Sequence, residues 1–84
     1  MKLAKHRSTF RVGKDFPTPR TVCIVKHGIT YELMRIHDIE TQSLWYEHVG
    51  RKEVYGVPVV WTRAPTAICF FPIADQNYEL LFKG

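Results

Sequence analysis

From Thr21 onward the chain is a succession of short apolar or alternating runs divided by turn residues, the pattern of a β protein. "TVCIVK" reads as a strand that stops at His27 and Gly28. "TYELMRI" and "SLWYEHV" read as the next two, "GRKE" supplies a turn, and "VPVVWTR", "AICFF" and "YELLFK" complete the series. In the last run Tyr78, Leu80 and Phe82 alternate with Glu79, Leu81 and Lys83, the best period-two stripe in the chain. The prolines and glycines fall mainly between runs, where they act as punctuation. A helix competes over one stretch: Thr41 could cap "QSLWYEHV", with Leu44, Trp45, His48 and Val49 on one face and Gly50 as the stop. Its β-branched and aromatic density favours a strand.

Strands at roughly 8–12-residue spacing predict a mainly β fold. The expected form is a small SH3-like barrel or a strongly bent antiparallel sheet of five to six strands, with at most one short helix. Closure would deal with the exposed edges that an open sheet leaves behind. With 84 residues the chain makes one domain, and 13% aromatic content makes a small core credible. Cys23 and Cys69 sit in apolar runs without metal-ligand spacing, so both read as reduced, buried thiols in a cytoplasmic protein. No apolar stretch approaches the roughly 20 residues that cross a bilayer as a helix, so no membrane role is expected.

Charge then divides the chain. Residues 1–20 carry Lys2, Lys5, Arg7, Arg11, Lys14 and Arg20 against Asp15 alone, a net +5, whereas residues 21–84 sum to −1. A basic N-terminal segment (1–20) thus precedes a nearly neutral β domain (21–84), with the extended stretch "DFPTPR" at the join. Such asymmetry suggests nucleic acid or an acidic protein surface as partner. The six cations would contact phosphates or carboxylates, and Phe10 and Phe16 could stack on bases. Six phosphate contacts would lower nucleic-acid affinity on the order of a thousandfold between 50 and 200 mM salt. Alternatively the segment is a solvated arm, or "STFRVG" adds an edge strand.

Two further constellations compete. "IHDIETQSLWYEH" gathers His37, Asp38, Glu40, Glu47 and His48, the residue types of a small hydrolase or metal site. No pair of histidines at i, i+4 occurs there, and the same residues suit a polar hairpin turn built on Asp38 and Thr41. No nucleophile elbow or phosphate-cradling glycine loop is present, so the sequence asks for neither catalysis nor a cofactor. "YGVPVVWTRAP" places Trp61 and Arg63 on one strand face, a secondary recognition platform if exposed and core if not. Through that surface a small phage-type accessory or inhibitor protein would bind a host protein. An open sheet edge would also permit a homodimer by strand pairing.

The run from Gly28 to Pro65 resembles a bacterial family of short single-domain β proteins of unknown function. That family's pattern combines H-x-E-T, a strand ending in an aromatic, a tyrosine-glycine turn and W-V-R-P. The matching positions are His37, Glu40 and Thr41, then Tyr46, then Tyr55, Gly56, Trp61 and Arg63. Two residues separate His37 from Glu40 where the pattern has one, and Ala64 stands between Arg63 and Pro65. The resemblance implies a small barrel-like β fold and no particular activity.

Overall fold

A computed structural model of the chain describes residues 1–36 and 54–84. The strand "SLWYEHV", its helical rival and the cluster of His37, Glu40 and His48 lie outside the described residues, as do Thr41 and Tyr46.

The described residues form strands and no helix. In chain order the strands are β1 (Lys2–Leu3), β2 (Thr9–Arg11), β3 (Thr21–Lys26), β4 (Ile29–Glu32), β5 (Met34–Arg35), β6 (Tyr55–Gly56), β7 (Val60–Ala64), β8 (Ala67–Phe71), β9 (Ile73–Ala74) and β10 (Tyr78–Lys83). One four-stranded sheet has the order β1-β10-β3-β4, all antiparallel. A second has the order β2-β8-β7-β5, in which β5 runs parallel to β7. β6 and β9 make a short parallel pair.

Local chemistry explains the best-formed hairpins. His27 and Gly28 both have positive φ, 52° and 76°, between the paired Lys26 and Ile29. This is the two-residue turn whose twist suits a β-hairpin, and Gly28 adopts it without steric cost. β10 alternates as its sequence stripe predicts: Tyr78 and Leu80 are buried, Glu79 and Leu81 exposed. It occupies the centre of the first sheet, paired with β1 on one side and β3 on the other.

"TYELMRI" does not run as one strand. β4 stays with β3, and Leu33 donates to Val22 C=O at 2.9 Å; Met34 then donates to Val59 C=O at 3.1 Å. The chain thus changes sheets at the buried Leu33, so a run of strand-forming residues serves two sheets. The inner faces share one core, with Leu3, Val22, Ile24, Tyr78 and Leu80 from the first sheet against Trp61, Ile68 and Phe70 from the second. A Cα radius of gyration of 12.1 Å is what one compact domain of this length has.

The fold is mainly β, as expected. The finer expectation was a small SH3-like barrel or a strongly bent antiparallel sheet of five to six strands. The described residues show no closed barrel but two four-stranded sheets, with β1 and β4 at the edges of one and β2 and β5 at the edges of the other. β1 and β2 are strands of two and three residues, and they are not paired with each other. Residues 1–20 nevertheless belong to the folded body, since Leu3 is fully buried and Phe10 and Val12 pack against the core. "STFRVG" does supply an edge strand, β2 beside β8.

Candidate functional site

The first strand leaves Leu3 in the core and Lys2 on the outer face, opposite Glu79 of β10. The chain then reverses through Ala4–Arg7, closed by Arg7 N–H donating to Ala4 C=O at 3.0 Å, with His6 at φ 65°. A non-glycine residue in that region is strained, and three contacts from the 74–77 segment hold the turn against it. His6 N–H donates to Ala74 C=O at 2.7 Å, Ala74 N–H to Arg7 C=O at 3.1 Å, and Lys5 N–H to Asn77 Oδ1 at 2.8 Å. The His6 ring also meets Tyr55 edge-on, 5.1 Å between centroids.

This turn delivers β2 alongside β8 with Thr9 opposite Cys69 and Arg11 opposite Ala67. Phe10, on the other face, half-buries its ring edge-on against Phe82 at 5.6 Å. The two edge strands therefore bound a groove of about 480 Å³, lined by Lys2, Ala4, Arg7, Thr9, Phe10 and Arg11. Among the described residues, the side chains of Lys2, Arg7 and Arg11 make no ion pair or hydrogen bond, Glu79 included. Three exposed cations against the single carboxylate of Glu79 opposite Lys2 make a net positive potential around one concavity that carboxylates or phosphates would relieve.

The remaining basic residues do not join them. Lys5 is exposed on the turn beside the groove, Lys14 in the turn that Phe16 N–H closes onto Gly13 C=O, and Arg20 just before β3. Phe16, like Phe10, is half-buried and meets Phe82 edge-on, with centroids 6.0 Å apart.

Of the two alternatives for Trp61 and Arg63, burial takes the core one for Trp61. Trp61 is 1% exposed and belongs to the core, where a small domain needs its largest side chain. Arg63 is half-buried, and its guanidinium is engaged by main-chain carbonyls. One terminal nitrogen donates to Ala64 C=O at 2.7 Å and Ala67 C=O at 3.4 Å, the other to Phe16 C=O at 2.8 Å and Gly13 C=O at 3.3 Å. It thereby ties the 13–16 turn to the end of the β7–β8 hairpin, with Phe16 5.9 Å beneath it. The cation that covers Trp61 is Arg35, 5.0 Å from the ring centroid and its register partner across the parallel β5–β7 pair. No local sequence signal brings those two residues together.

Thr9 also lines the groove, and period-two alternation within "TFR" would have placed it with Arg11 once the strand was recognised. Two other concavities are less suited to a charged partner. One of about 420 Å³ is lined by Lys26, His27, Ile29, Tyr31 and Val57, and a mainly apolar one of about 200 Å³ lies between Phe16–Pro19 and the C-terminal residues.

Among the described residues no three His, Cys, Asp or Glu side chains cluster as metal ligands, and both cysteines are free thiols, Cys23 buried and Cys69 half-buried. No helix of the described residues is long and apolar enough to cross a membrane. Compared with known proteins, the chain matches no protein-family model and no curated protein.

Proposed function

We propose that this protein is a non-catalytic binding module whose groove between β1 and β2 receives an acidic segment of a protein partner. The observation that carries the reading is the convergence of Lys2, Arg7 and Arg11 on one concavity, none of them in an ion pair or side-chain hydrogen bond among the described residues. A folded protein that spends its cations on its own carboxylates leaves little field at its surface; this one leaves the field open. The pinned turn at Ala4–Arg7 adds preorganisation, which reduces the ordering cost of association.

Nucleic acid is the less favoured occupant of the same groove. Base stacking favours fully exposed ring faces, and Phe10 and Phe16 are both half-buried against Phe82. Three phosphate contacts to a single strand would give a salt dependence of about twentyfold between 50 and 200 mM. Fluorescence anisotropy with labelled hexaglutamate and with a short single-stranded DNA, each titrated at both salts, tests the choice. Hexaglutamate should bind, and the combined Lys2→Glu, Arg7→Glu, Arg11→Glu variant should not bind it. Hexaglutamate binding that survives this charge reversal, or tighter binding of DNA than of hexaglutamate, would defeat the proposal.

A further inference from the structure

In an antiparallel ladder, alternate residues turn their backbone groups toward the neighbouring strand and the others turn theirs away. Ser8 C=O accepts from Phe70 N–H at 2.7 Å, and Val12 N–H donates to Thr66 C=O at 3.0 Å. With Phe10 opposite Ile68, these bonds assign Ser8, Phe10 and Val12 to the β8 side. Thr9 and Arg11 between them direct their N–H and C=O groups off the sheet edge, toward the groove. On the other wall Met1 C=O accepts from Leu80 N–H at 2.8 Å. The same alternation turns the backbone groups of Lys2 outward. Two strand edges that are not paired with each other therefore flank a groove already lined by cations.

We infer that the groove takes its acidic partner as an added antiparallel β-strand along β2, with main-chain hydrogen bonds to Thr9 and Arg11. The inference rests on the reading that this groove is the binding site, and it names how the partner is held. The carbonyls of Thr9 and Arg11 call for donors, which a peptide backbone has and a phosphodiester lacks. Strand addition supplies those donors in register, while alternate side chains carry the specificity. Residues of the incoming strand opposite Thr9 and Arg11 project on the outer face, beside the Arg11 side chain; acidic side chains belong there. The residue between them projects on the side of the half-buried Phe10, where an apolar side chain belongs. The expected ligand is an extended segment in which acidic and apolar residues alternate.

The probes are a fluorescein-labelled Glu-Val-Glu-Val-Glu-Val peptide, the same peptide N-methylated at each glutamate, and a short single-stranded DNA, all titrated against the full chain. N-methylation removes the donors that face Thr9 and Arg11 but keeps every charge. It should weaken binding about tenfold or more, given roughly 1 kcal/mol per hydrogen bond. In parallel, amide exchange of Thr9 and Arg11 should slow when the unmodified peptide is bound. Equal binding of both peptides overturns strand addition while the charge-lined site stands. Binding of DNA but of neither peptide, or of no probe at all, overturns the site reading itself.

Discussion

Replacing Arg63 by methionine keeps the aliphatic stem and removes the guanidinium, so it isolates the bonds described above. Two of them are short, 2.7 Å to Ala64 and 2.8 Å to Phe16, and the two at 3.3 and 3.4 Å add little. Hydrogen bonds to a charged group are worth about 1.5–3 kcal/mol each. The site is only part-buried, and water recovers some of that loss, so a net cost of about 2–4 kcal/mol is expected. An 84-residue domain has about 4–13 kcal/mol of total stability, so the variant forfeits a large share of it. Thermal unfolding followed by circular dichroism should show a midpoint lowered by about 10–30 °C. Arg63→Lys should recover less than half, because one ammonium cannot span the carbonyls of both the turn and the hairpin. A midpoint within about 3 °C of the parent protein would refute the assignment of Arg63 as a pin. So would a variant that stays stable but loses hexaglutamate binding.

Trp61→Ala should cost about 3–5 kcal/mol, read as a lower urea midpoint, since it empties from the core the largest fully buried side chain among the described residues. A loss below about 1 kcal/mol would mean that Trp61 lies at the surface. Gly28→Ala should cost about 1–2 kcal/mol through its positive φ alone, because nothing crowds the new Cβ, and no loss would contradict the turn type. Burial of Tyr78 raises the pKa of its hydroxyl above 10.0, and the hydrogen bond that it donates to Asp75 pushes the same way. The native state then holds that proton more tightly than the unfolded state. The resulting stability is complete below pH 10 and declines as pH rises through the raised value. Urea midpoints of the parent should fall more steeply above pH 10 than those of Tyr78→Phe, and parallel curves would count against this contribution.

Most of the individual strands were legible in the sequence because their causes are local. The stripe from Tyr78 to Lys83, the apolar runs at Thr21–Lys26 and Ala67–Phe71, and the turn at His27–Gly28 each carry their own signal. Their assembly was not legible. The sheet change at Leu33 and the parallel pairing of Arg35 with Trp61 depend on contacts between segments distant in the chain. The same is true of the groove. Charge counting found Lys2, Arg7 and Arg11 but could not separate them from Lys5, Lys14 and Arg20. That selection arises because β1 joins β10 and β2 joins β8, which brings the two edges together at one turn. Trp61 and Arg63 were left open between platform and core for a related reason. Spacing puts both on one face, and only packing decides whether that face meets solvent.

Occupation of the groove between the first two strands by an acidic partner can be read residue by residue in an amide-detected NMR titration of the full chain with hexaglutamate. Shifts should concentrate at Lys2, Arg7, Thr9 and Arg11, leaving Lys14, Arg20 and the Trp61 indole unmoved. Shifts centred on any other surface, or none at saturating peptide, would contradict it.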